Sequence, residues 1–147
     1  MKNLSLYNIP IKYMIVYVVL ILFTGIWLFL LSQGLNSSDG VIETIRHIVV
    51  SPEPKGIHSF IEIATPHMFA IGAMVFVVSH FMLFSTKISQ KTSLIVFILL
   101  FAFTLFNIFS YGAITFGLIV SGWIKLFSMV VFVLLFLLML FMVAVSL

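Results

Sequence analysis

Four histidines, His47, His58, His67 and His80, are the side chains best suited to chemistry in this chain of 147 residues. They equal the carboxylates in number, which are Asp39, Glu43, Glu53 and Glu62. Neutral imidazole binds transition metals and carries protons near neutral pH. His58 and Glu62 stand four apart, so a helix would put them on one face, where they could share a divalent ion. A transition-metal site drawing on His47, His58, Glu62, His67 and His80 is therefore one candidate chemistry. Cysteine is absent. That removes disulfides, thiolate metal sites, iron–sulfur clusters and thioether-attached haem. A redox centre here must use His or Met.

The elements that hold these residues are set by composition. The chain is 63% hydrophobic and 7% charged, whereas a soluble domain carries about 25% charged residues. An ordinary soluble enzyme is excluded, and so is disorder, which needs low hydrophobicity. The solvent is lipid. The net charge of +3 is spread over seven Lys and Arg, with no basic run for nucleic acid. No H-E-x-x-H, Gly-rich phosphate loop or Ser/His/Asp cluster occurs. A subunit that binds or transfers fits better than a stand-alone enzyme.

Four apolar runs, about residues 11–31, 66–84, 94–110 and 123–145, each approach the ~20 residues needed to cross a bilayer. None alternates like a barrel strand, so each reads as a helix. The expected fold is all-α: one integral membrane domain over residues 1–147, a four-helix transmembrane bundle. The first run reads as a retained span rather than a cleaved signal, because no small-x-small site follows it. Residues 32–65 form a long connection with all four carboxylates, Arg46, Lys55, His47 and His58. Its first half, Ser38 to Val50, reads as an amphipathic segment on the membrane interface, with Ser37, Ser38 or Asp39 as its cap. Ser51-Pro52-Glu53-Pro54-Lys55-Gly56 ends it. Lys2, Lys12, Lys87 and Lys91 place both termini in the cytoplasm of a bacterial inner membrane and the long connection outside. Lys125 reads as snorkelling outward and Asn107 as a hydrogen-bonding group between helices.

The second span carries His67 and His80, thirteen residues apart. Two starts are legible: a capping box from Ser59 to Glu62, and Thr65 before Pro66 at the first helical position. Both hold if a short turn leads into the span across a kink at Pro66. His80 lies ~20 Å further along the helix than His67, at about 1.5 Å per residue. An ionisable group at that depth points to function; the plainer reading is a neutral imidazole bridging two helices. At about 100° per residue, His80, Glu62, His58, Phe69, Ala73 and Phe76 share a stripe, and His67 lies roughly 140° away.

The stretch PHMFAIGAMVFVVSHF resembles the two-histidine helix of membrane b-type cytochromes. It is also similar to a helix of small four-helix bacterial membrane proteins that have a first span, an outer segment with its own histidine, and then a PH-hydrophobic-Phe motif. The resemblance runs over about residues 41–84. It implies haem b and electron transfer between the quinone pool and an outward-facing redox protein. A haem in a bundle needs neutral imidazoles whose second nitrogen meets a carbonyl, hydroxyl or carboxylate. Its propionates would find Arg46 and Lys55 in the outer connection. The other three spans contain no histidine, so one chain cannot build two bis-histidine haems. Three arrangements remain. One haem takes His67 with His47 or His58. One near His80 takes Met129 or Met139, or leaves a position open. Or a homodimer pairs identical histidines. A haem toward the outer half with His67 as one ligand is favoured. The other readings are a His/Glu metal-binding or transport accessory protein, and a structural subunit of a larger membrane complex.

Overall fold

A computed structural model describes residues 8–35, 40–52, 56–82, 87–119 and 121–146. Those residues form five helices, α1 (Asn8–Ser32), α2 (Val41–Val50), α3 (Ile57–Met82), α4 (Gln90–Thr115) and α5 (Trp123–Ser146), and no strand occurs among them. α1, α3, α4 and α5 are each long and apolar enough to cross a bilayer. In lipid, backbone N–H and C=O groups must bond within their own segment, and a helix does that. The all-α bundle of four spans with an amphipathic helix between the first two is what forms.

α3, α4 and α5 pack on one another, while α1 rests on α5 and α2. Among the described residues, no Cα of α1 comes within 8 Å of one in α3 or α4. The core lies in the three-helix unit: Val75, Leu100, Phe136 and Met139 are fully buried. α1 joins that core through the buried Ile11 and Val18, with Met14, Ile15 and Leu22 packed against it. Large apolar side chains face outward on every span, Tyr17, Phe69, Phe109 and Phe141 among them. Such continuous apolar surface marks contact with lipid.

α2 buries Thr44 and Ile48 and exposes Glu43, Arg46 and His47. Val41 and Ile42 are exposed as well. Gly40 precedes the helix and no side chain caps it; Ser37, Ser38 and Asp39 lie outside the described residues, as do Glu53, Pro54 and Lys55. The turn from α4 to α5 docks on the end of α2. α4 closes at Gly117, whose φ of 70° is left-handed, and Phe116 and Leu118 donate back to the Gly112 and Ala113 carbonyls. Gly122 N–H then donates to the Val49 carbonyl at 3.1 Å. A Cβ on Gly122 would collide with the Ile48 carbonyl oxygen, so only glycine permits this approach.

The second span does not begin at Pro66. α3 is continuous from Ile57, with Pro66 and Ser59 both inside it. Proline removes one hydrogen bond, the one to the Glu62 carbonyl, and packing holds the turns before it. Phe60 lies against Tyr111 of α4 at 6.1 Å between ring centroids, and its ring sits over Gly112. α4 likewise exceeds its expected bounds at both ends. Ser89 starts it, its Oγ accepting from the Thr92 N–H at 3.1 Å.

Candidate functional site

Because α1 is held at its start and stands off α3 further along, a gap opens between them toward the α2 end of the bundle. It forms a cavity of about 500 Å³ with walls from α1, α3, α4 and α5. That volume is in the range of small-molecule and cofactor sites, ~300–1,000 Å³. Most of the wall is aliphatic or aromatic, with Leu22 and Ile26 of α1 facing Ile71 of α3 and Val133 of α5. Gly25 adds further room on the α1 side, since nothing lies within 4 Å of where its Cβ would be.

The polar groups on this wall are few: Ser32, Gln33, His67, Asn107, Tyr111 and Lys125. Of the four histidines, His67 alone lines the cavity. It directly follows Pro66 in α3. The proline leaves the Glu62 carbonyl without its helical donor, and one residue on, His67 Nδ1 donates to the Ile63 carbonyl at 3.0 Å. A carbonyl can only accept, so Nδ1 carries a proton, and in the neutral ring the lone pair is then on Nε2. The imidazole is thereby in the tautomer suited to ligating a metal or accepting a proton through Nε2.

The other histidines are elsewhere. His47 is exposed on α2. His58 is exposed on α3, its Nδ1 3.5 Å from Glu62 Oε2, with both side chains more than half exposed. His80 is exposed and stacks on Phe76, ring centroids 6.0 Å apart at 28°. The stripe of His58, Glu62, Phe69, Ala73, Phe76 and His80 is thus an outward face of α3. Among the described residues, no three His, Asp or Glu side chains gather where a metal ion could be held. Of the methionines considered as ligands, Met129 lines the His67 cavity, while Met139 is fully buried in the core. Arg46, considered for propionates, is exposed and lies 4.0 Å from Glu43; Lys55 lies outside the described residues.

Lys125 corrects an expectation. It does not snorkel outward but points into the bundle. Its Nζ donates to the Asn107 carbonyl at 3.0 Å and to Asn107 Oδ1 at 2.8 Å. It also stands 5.7 Å from the ring centroids of Phe29 and Tyr111, a distance at which ring faces attract a cation. Asn107 has the interhelical role expected of it. It accepts from Lys125 and from Ser128 Oγ, the latter at 3.2 Å, and Ser110 joins Ser128 at 3.3 Å. Spacing held the signal for this cluster: Asn107, Ser110 and Tyr111 on α4, and Lys125, Ser128 and Met129 on α5, both fall at i, i+3 and i+4, which is one helical face.

No curated protein and no solved structure matches the chain. A family model described as a transmembrane helical domain, Aq_1264_TM, matches residues 36–147. The match takes in α2 to α5 with all four histidines, Asn107 and Lys125, and leaves out α1. The chain is therefore a multi-pass membrane protein that belongs to the Aq_1264_TM family of transmembrane helical domains.

Proposed function

We propose that the protein is a b-type cytochrome with one haem between α1 and α3, ligated by His67, which passes electrons between the quinone pool and a second redox protein. One observation carries this reading. His67 lines a cavity of cofactor size while its Nδ1 is tied to the Ile63 carbonyl, so that the neutral ring takes the tautomer that iron ligation through Nε2 requires. The donor set fits the group. Met74 and Met129 lie in the same wall as thioether donors, and Lys125 is a cation for a carboxylate edge. His47, His58 and His80 do not line the cavity, so a bis-histidine pair within it has no support. Haem would supply reversible one-electron chemistry at iron. The chain's own part is to orient the His67 ring, keep water out with aliphatic walls and balance charge at Lys125. Lys12, Lys87 and Lys91 lie toward the other end. That bias supports a bacterial inner-membrane placement with the termini cytoplasmic and the cavity toward the outside.

The test is a reduced-minus-oxidised spectrum of protein purified after haem-supplemented expression. A b-type spectrum lost in His67→Ala and kept in His80→Ala is expected. Absence of any Soret band overturns the reading.

A further inference from the structure

A cation inside a lipid-embedded bundle is costly unless an anion answers it. Lys125 is the one described Lys or Arg that is not exposed. No carboxylate of the described residues answers it. Glu43 and Glu62 are both exposed and lie beside Arg46 and His58, and α4 and α5 contain no acid. The neighbours of Nζ are dipoles and ring faces: two oxygens of Asn107 and the rings of Phe29 and Tyr111. These stabilise a positive charge without neutralising it.

Two donors remain. An ammonium has three N–H groups, and Asn107 takes two of them. Asn107 accepts through both its oxygens, while no described residue accepts from its Nδ2 amide. Both side chains line the cavity, and the rest of the wall is mainly apolar. The site thus offers one positive charge and one amide donor at the end of a greasy slot beside lipid.

We propose that the gap between α1 and α3 binds an apolar molecule through a single carboxylate, which pairs with Lys125 and accepts from the Asn107 amide. A carboxylate suits a lone lysine better than a phosphate, whose greater charge calls for more than one cation. The carboxylate can belong to a long-chain fatty acid or to a porphyrin edge. The inference goes beyond the haem assignment because it stands on Lys125 and Asn107 and holds for either source.

The probe is cis-parinaric acid, a fluorescent fatty acid, titrated into the purified full-length protein in neutral detergent beside its methyl ester. The acid is expected to bind at least ~10-fold more tightly than the ester. Lys125→Met is expected to erase that preference and Lys125→Arg to keep part of it, with helical content checked by circular dichroism. Gly25→Leu, which fills the cavity from the opposite wall, is expected to weaken acid and ester alike while Lys125 stays in place. A second arm compares hemin with its dimethyl ester by Soret absorbance. Equal binding of acid and ester in both arms, or a preference that survives Lys125→Met, overturns the proposal. A parinarate preference without any haem spectrum upholds it and removes the cytochrome reading. A haem spectrum with no acid preference in either arm does the reverse.

Discussion

Gly122 joins the start of α5 to the end of α2, and replacing it measures how much the bundle depends on that joint. In Gly122→Ala the new Cβ meets the Ile48 carbonyl oxygen, a backbone atom that no rotamer change can move aside. The chain must separate there, and the Gly122 N–H to Val49 carbonyl bond of 3.1 Å opens with it. Overpacking of one methyl costs about 1–3 kcal/mol, and losing one hydrogen bond costs about 1 kcal/mol. The expected destabilisation is thus about 2–4 kcal/mol, a factor of roughly 30 to 700 in the folding equilibrium. Two other glycines serve as internal standards. At Gly25 nothing lies within 4 Å of the Cβ position, and alanine in a helix interior is favoured by about 0.5–1 kcal/mol. At Gly117 space is also open, but φ is 70°, and a left-handed alanine costs about 1–2 kcal/mol. The assay is unfolding of purified protein in mixed micelles by rising SDS fraction, followed by tryptophan fluorescence. The expected order of stability is Gly25→Ala, wild type, Gly117→Ala, Gly122→Ala. If Gly122→Ala proves as stable as Gly25→Ala, the docking of the α4–α5 turn on α2 is not as described.

Other substitutions separate the groups at the cavity from those outside it. Ser128→Ala removes the hydroxyl that bonds Asn107 and Ser110 and should cost about 1–2 kcal/mol in the same SDS titration. Glu62→Gln should change stability by less than ~0.5 kcal/mol, because its histidine neighbour is 3.5 Å away and both side chains are well exposed. Pro66→Ala restores the donor to the Glu62 carbonyl, so α3 should become more protected in amide hydrogen exchange around residues 62–67.

The four spans were legible because lipid removes the competing signals: a run of about twenty apolar residues has one good solution there. α2 was legible through its period, yet its cap was not, since Gly40 supplies no side chain. Of the two legible starts of α3, the helix begins beside the earlier one, two residues before Ser59. Thr65–Pro66 matches a helix start locally, and only the packing of Phe60 on Tyr111 and Gly112 keeps the helix intact nine residues earlier. That contact joins residues some fifty positions apart, which no local rule sees. His67, the histidine favoured as a ligand, is the one of the four that lines the cavity. His80 drew attention by its depth, but its exposed stripe lies off the cavity; His67 is also exposed, yet borders the cavity. Lys125 was read from its nearness to a span end, where snorkelling is common. The polar face of α4, set by Asn107, reverses that by offering acceptors on the inner side.

The same opposition explains why the cavity lies where it does. Between α4 and α5, polar groups find each other: Asn107, Ser110, Lys125 and Ser128 form one hydrogen-bonded cluster at the α2 end. Such bonds hold helices together in lipid, where the hydrophobic effect between spans is missing. α1 has nothing comparable. Its Thr24 and Ser32 hydroxyls turn back onto carbonyls of their own helix, and no Cα of it approaches α3 within 8 Å. A span without interhelical hydrogen bonds stays close only where side chains interlock, as Ile11 and Val18 do in the core. Past them, α1 faces α3 across the space lined by Gly25 and His67. The polar cluster therefore does two things at once: it fixes α4 to α5, and it leaves Lys125 facing α1, which brings it the Phe29 ring but no anion. An anionic group placed in that space would meet Lys125 there.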